Sequence, residues 1–130
     1  TVPVRVTVDL AERPAPAIEG IAYFTVSELL QNVSKHARAT AAAVEVWRVE
    51  NRLLIQVGDD GRGGARLDGG TGMKGLADRL SAVDGLFVVD SPEGGPTAVT
   101  AELPWRDRTA ADAEGGASGG DRARRTTGTR

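Results

Sequence analysis

The sequence contains no cysteine and a single histidine, His36. The first absence excludes a disulfide scaffold, a cysteine zinc site and a thiol nucleophile; the second excludes a multi-histidine metal centre. Aromatic residues make up only 4% of the chain, so the core must be built from aliphatic side chains. No apolar run approaches the roughly 18 residues that a membrane-spanning helix needs. No charged start followed by an apolar stretch marks a signal peptide. Neither sign of charge dominates: a net charge of −2 excludes a uniformly basic nucleic-acid binder. The chain itself is read as cytoplasmic and as contacting neither nucleic acid nor membrane directly, with membrane anchoring of the parent protein by a missing N-terminal part left open. Methionine is scarce as well. The chain opens on Thr1 and its one methionine is Met73, so it is read as a piece of a longer protein.

What is present is unevenly distributed. Residues 106–130 hold six arginines and four acids but no Val, Ile, Leu, Met, Phe, Trp or Tyr. Such a stretch buries too little apolar surface to offset its ordering entropy, which predicts a disordered tail after a folded unit over residues 1–105.

Within that unit, Val4, Val6 and Val8 alternate with Arg5, Thr7 and Asp9, the pattern of a half-buried strand. Ile18, Ala22, Thr25, Leu29 and Val33 recur at three- and four-residue steps and predict a helix over 18–37. Ala43–Val49 and Leu53–Val57 are β-rich runs joined at Glu50-Asn51-Arg52, a hairpin. A glycine-rich loop follows, then a second helix over 73–83 that stops at Asp84-Gly85. Leu86–Asp90 and Ala98–Leu103 form a second hairpin across Ser91–Pro96. The order β-α-β-β-loop-α-β-β predicts an α+β fold. It is a two-layer sandwich with a mixed, largely antiparallel sheet and its helices on one face.

Three groups of residues have chemical potential. Glu28, Asn32 and Lys35 are spaced four and three apart, so a helix places an acid, an amide and a base on one face. That set can hold a hydrated divalent cation together with the phosphates it bridges, and His36, four residues after Asn32, can donate to phosphate. The same spacing also fits a solvated helix face. Asp59-Asp60-Gly61-Arg62-Gly63 ends a strand in a carboxylate followed by glycines. A carboxylate only accepts hydrogen bonds, so it suits a donor such as an exocyclic amino group; a plain Asp-Gly turn is the other reading. Gly70-Thr71-Gly72-Met73-Lys74-Gly75 opens a helix and can expose N–H groups to an anion, or serve as a flexible linker. It follows a loop and not a strand, which excludes the dinucleotide-binding fingerprint it formally matches.

Taken in order, these segments resemble a known family. Glu28-Leu29-Leu30-Gln31-Asn32-Val33-Ser34-Lys35-His36-Ala37 resembles the N box of histidine-kinase ATP-binding domains. Asp59–Gly63 and Gly70–Leu76 resemble their two glycine boxes, and Gly94-Gly95-Pro96-Thr97 resembles the closing Gly-Gly-x-Thr segment. The resemblance spans roughly residues 2–104 and implies the GHKL, or Bergerat, fold. The short lid and the Lys-His-Ala ending are similar to the sensor kinases partnered with LuxR-type response regulators.

The resemblance further implies a two-component histidine kinase domain that binds ATP and Mg2+. Asn32 would ligate the metal, Glu28 would act at the γ-phosphate, and Lys35 and His36 would contact phosphate. Asp59 would accept from adenine, with Gly61 and Gly63 allowing its approach. Gly70, Thr71, Gly72 and Gly75 would cover the phosphates, residues 64–69 would form the lid, and Thr97 would sit near adenine. The phosphoacceptor histidine would lie on separate dimerising helices of the same protein, and a response regulator would act downstream. The piece itself would then be monomeric. Pro96, Gly64 and Asp84 depart from the family's usual residues. An anti-sigma-factor-type serine kinase and a purely regulatory ATP-binding module share the same expected fold.

Overall fold

The computed structural model describes residues 2–63 and 73–112. Their order is β1 (Val4–Asp9), α1 (Pro16–Asn32), β2 (Ala42–Val49), β3 (Arg52–Asp59), α2 (Met73–Ser81), β4 (Leu86–Asp90) and β5 (Thr97–Pro104). The five strands form one sheet in the order β1-β2-β3-β5-β4. β1 runs parallel to β2, and every other pair is antiparallel. This is the expected α+β architecture.

Strand periodicity builds the core. Leu53, Ile55, Val57 and Asp59 of β3 face Leu103, Ala101, Val99 and Thr97 of β5 in register. All eight are buried beneath the helices. Ile18, Thr25 and Leu29 of α1 and Met73, Leu76 and Leu80 of α2 close over them. The opposite sheet face carries polar cross-strand pairs, such as Gln56 Nε2 donating to Thr100 Oγ1 at 3.1 Å and Arg52 to Glu102 at 3.1 Å. Among the described residues, helices therefore cover one face only. No helix among the described residues is long and apolar enough to cross a membrane.

Four sequence expectations need correction. The valines of β1 share the helix-side face with Ala42, Val44 and Val46, as alternation requires. However, α1 packs mainly against β3 and β5, away from the edge strand. Val4, Val6 and Val8 consequently remain 39%, 60% and 54% exposed, and β1 is not half-buried.

The first helix starts two residues earlier than its apolar stripe, because Pro16 occupies its first turn, where a missing N–H costs nothing. It remains α-helical only to Asn32. Val33–Ala37 form a π-helical turn, closed by Arg38 in the left-handed region (φ 54°). The second helix ends at Ser81, and Asp84 (φ 63°) takes the left-handed position of its stop.

The stretch expected as tail from residue 106 begins with seven residues that fold back on the connector before α1. Ala15 N donates to the Arg106 carbonyl at 2.8 Å, and Pro14 and Asp107 form a β-bridge. Arg13 and Arg108 converge on Glu19, at 2.6 and 3.2 Å. Thr109 and Asp112 cap each other's backbone N–H groups. Trp105 anchors the turn: it is buried, its N donates to the Asn51 carbonyl at 2.7 Å, and its ring lies 4.1 Å beneath the Arg48 guanidinium. A count of apolar residues overlooks this clasp because main-chain and charged groups make most of it. The remainder of the expected tail, 113–130, lies outside the described residues.

Trp105→Ala is expected to lower unfolding stability by about 3 kcal/mol in urea titration, the usual cost of truncating a buried tryptophan. A loss below about 1 kcal/mol would mean that the clasp adds little to the fold.

Candidate functional site

Chain direction brings three elements to one end of the sheet. β3 ends at Asp59 and β5 begins at Thr97, and these two residues pair in register. α1 starts beside Arg106, beyond the opposite end of β5, and spans about 25 Å at 1.5 Å per residue. Its C-terminal end therefore returns toward Asp59 and Thr97, and the loop after it leads into Ala42, the partner of Asp59 in β2.

Phe24, Glu28 and Asn32 follow one another at four-residue steps along α1 and so share one flank. That flank faces α2, because the Arg79 guanidinium of α2 lies 4.3 Å over the Phe24 ring. Glu28 and Asn32, both half-buried, thus line the side of α1 nearest α2 at the Asp59 end of the sheet. Lys35 is exposed on the π-helical turn, whose wider hydrogen bonding breaks the α-helical phase expected to align it with Asn32.

The two consecutive aspartates take opposite tasks. Asp59 belongs to the helix-side face of β3 and is 8% exposed. Its Oδ1 accepts the Gly61 N–H at 2.7 Å, while Oδ2 accepts nothing from the described residues. Burial raises its pKa from 3.8, and the charge of Asp60 adds to that effect, against the opposing Gly61 hydrogen bond. Asp60 turns the other way. Its Oδ1 accepts from Thr40 N and Ala41 N at 2.8 and 3.1 Å, and its Oδ2 takes the Thr40 hydroxyl at 2.5 Å. These bonds, led by the Thr40 hydroxyl, lower its pKa from 3.8. Asp60 thereby fastens the loop after α1 to the end of β3. Sequence reading had assigned this residue no role; an acid directly beside a buried acid, one strand position on, is the signal for it.

Backbone contact locks the glycine segment to the β4–β5 turn. Gly63 (φ 72°) packs on the Pro92 carbonyl and the Gly95 nitrogen, and Gly95 (φ 79°) packs on the Gly61 carbonyl. A Cβ at either position would occupy the same space as the opposing backbone. The Gly95–Pro96 peptide is cis, and Ser91 Oγ and Thr97 Oγ1 share a hydrogen bond at 2.5 Å. Thr97 is buried beside Asp59. Ser91, Gly95 and Asp60 thus join the residues expected from the sequence.

The remaining expectations divide. Gly75 lies in α2, exposed, with open space where a Cβ would stand, so packing does not require glycine there. Gly70, Thr71 and Gly72, the proposed lid over 64–69 and the His36 side chain lie outside the described residues. Among the described residues no three His, Asp or Glu side chains cluster to hold a metal by themselves. A cation at Asn32 would need ligand oxygens and water to complete its shell. Chemically, the site offers an acceptor-only carboxylate on a buried floor, a hydroxyl beside it, and an acid and an amide on the adjacent helix flank.

No protein-family model matches the chain. It is similar to the signal transduction histidine-protein kinase/phosphatase UhpB of Salmonella typhimurium, with 35% identity over 82 residues, 61% of this chain and 16% of UhpB. It is also similar to the oxygen sensor histidine kinase NreB of Staphylococcus carnosus, with 34% identity over 101 residues, 75% of this chain and 29% of NreB. The chain thus spans less than a third of the length of either relative. Among solved structures, the blue-light activated histidine kinase EL346 of Erythrobacter litoralis superimposes with a TM-score of 0.66 at 22% identity, covering 81% of this chain and 36% of that one. Full-length ShkA in complex with AMPPNP matches with a TM-score of 0.60 at 20% identity, over 82% of this chain and 27% of that one. Its relatives are sensor histidine kinases, and the fold is that of histidine kinase catalytic domains.

The Asp60 tie sets a pH dependence. Its folded-state pKa is lowered, so its contribution to stability is complete above the ordinary value of 3.8 and is lost as pH falls through the lowered value. Asp60→Ala is expected to lower the urea midpoint at pH 7, with the difference from the unchanged chain shrinking as pH drops below 3.8. A pH-independent difference would show that the carboxylate charge does not hold the loop.

Proposed function

We propose that this chain is the ATP-binding catalytic unit of a sensor histidine kinase of the short-lid group that signals to LuxR-type response regulators. It would bind Mg-ATP and donate the γ-phosphoryl group to a histidine on separate dimerising helices of the same kinase. The observation that carries this reading is Asp59: a buried carboxylate with one oxygen free of described partners, flanked by Gly61 and Thr97. Such an oxygen suits a ligand N–H donor, and the exocyclic amino group of adenine supplies one. Gly63 and Gly95, each packed against opposing backbone, hold the loop after Asp59 to the turn that leads to Thr97.

At the other end of the ligand, the Asn32 side-chain oxygen would hold Mg2+ together with phosphate oxygens. The ion, when bound, neutralises charge that develops on the transferring phosphoryl group. Glu28, one turn earlier on the same flank, would orient the incoming imidazole or the proton it releases. Lys35 would add positive charge beside the phosphates. In the transfer, the imidazole nitrogen forms a bond to γ-phosphorus as the bond from phosphorus to the β,γ-bridging oxygen breaks, leaving phosphohistidine and ADP. The protein's contribution is mainly positioning and electrostatics, which suits a site built on a rigid sheet end. The similarity to sensor kinases supports this reading over a serine kinase acting on a sigma-factor antagonist.

Thermal unfolding with Mg-ATP tests the proposal. Ligand at 100 times its dissociation constant should stabilise the chain by about 2.7 kcal/mol. Asp59→Ala should abolish the shift for ATP with or without Mg2+. Asn32→Ala should remove only the increment that Mg2+ adds. Absence of a shift in the unchanged chain, or an undiminished shift in Asp59→Ala, would contradict the assignment.

A further inference from the structure

β1 is an edge strand with an unused side. Among the described residues it pairs only with β2, and all six of its residues are exposed. The Pro3 carbonyl accepts from Ala42 N at 3.0 Å, so Pro3 turns its backbone toward β2. In a parallel ladder every second residue does the same. Arg5, Thr7 and Asp9 therefore also face β2 with their main chain, while Val4, Val6 and Val8 turn their N–H and C=O groups outward. Such an edge is a template for a further strand.

The sequence of this edge is complementary to itself. An antiparallel copy centred on Thr7 sets Val6 against Val8, Val4 against Leu10, Arg5 against Asp9, and Thr7 against Thr7. The two Val6–Val8 pairs join outward-facing residues, so they are the ones that exchange main-chain hydrogen bonds. The Arg5–Asp9 and Thr7–Thr7 pairs fall at the positions where side chains approach more closely. Neither Arg5 nor Asp9 has an ion-pair partner among the described residues. Shifting the copy by two residues either way loses both Arg5–Asp9 pairs: one shift sets Arg5 against Thr7, the other Asp9 against Thr7. Every contact in the centred register is thus apolar on apolar, opposite on opposite, or hydroxyl on hydroxyl.

We infer that the partner of this edge is a second copy of the chain. The two β1 strands pair antiparallel about a twofold axis through Thr7 and join two five-stranded sheets into one of ten. Such an axis is the isologous arrangement that self-complementarity demands. It keeps both helix layers on the same side of the joined sheet, so Val6 and Val8 of each copy meet on that side. The nucleotide reading of the site is not involved, since β1 carries none of its residues. The interface is narrow, and the dimer is expected to be weak and dependent on concentration.

Sedimentation velocity on the unchanged chain over a concentration series is the test. It should show a monomer–dimer equilibrium, with dimer present below about 1 mM. Arg5→Asp and Asp9→Arg each place like charges opposite one another twice per dimer and should each weaken it about tenfold or more. The combined variant Arg5→Asp/Asp9→Arg restores opposite charges and should recover the affinity of the unchanged chain. A monomer throughout the series would overturn the inference. So would reversal variants that dimerise as the unchanged chain does, or a combined variant that is not rescued.

Discussion

Successive residues of a β-strand point to opposite sides, and at the end of β3 this alternation separates two adjacent carboxylates. Asp59 enters the buried face, and Asp60 leaves it to seize the loop after α1. The arrangement of the candidate site depends on that division. With Asp60 holding Thr40 and Ala41, the C-terminal end of α1 stays at the sheet end that contains Asp59. Glu28 and Asn32 are then held on the flank beside it. Beneath them, the backbone interlock of Gly61 and Gly63 with Pro92 and Gly95 fixes the position of Thr97. A single carboxylate could not do both jobs, since the groups that saturate Asp60 would leave no acceptor for a ligand.

The far end of α1 is fastened by different means. The Arg13–Glu19–Arg108 cluster and the Ala15–Arg106 hydrogen bond tie the helix start to the chain after β5. These ion pairs are partly exposed and are individually worth at most about 1 kcal/mol. The buried ring of Trp105 beneath Arg48 contributes more, through packing. α1 is thus held by apolar packing and a salt-bridge cluster at its start and by a carboxylate tie at its end. The positions of Glu28 and Asn32 do not rely on their own contacts.

Much of this was legible in the sequence, for local reasons. Alternating apolar residues identify β3 and β5 over Leu53–Val57 and Ala98–Leu103; the structure extends the two strands to Asp59 and Thr97, whose burial puts both on the helix side. Residues not read correctly depend on what lies beyond the local pattern. The valines of β1 carry the signature of a half-buried strand, but exposure is decided by how far α1 reaches across the sheet. The π-helical turn at Val33–Ala37 has apolar and polar residues in ordinary helical order; nothing local marks the change of hydrogen bonding. Residues 106–112 have no aromatic side chain and no aliphatic one larger than alanine, so a criterion based on apolar burial cannot detect a segment held by main-chain bonds and arginines. Asp60 escaped assignment because its partners, Thr40 and Ala41, lie about twenty residues away.

The end of β3 is proposed as a nucleotide-binding floor reached from the flank of α1. Mapping backbone amide shifts by NMR while Mg-ATP is titrated into the unchanged chain tests it most directly. The largest shifts are expected at Asn32, at Asp59–Gly63 and at Gly95–Thr97, with β1 and the Trp105 clasp unmoved. Shifts concentrated at β1 or the clasp, or none at Asp59–Gly63 at saturating nucleotide, would contradict it.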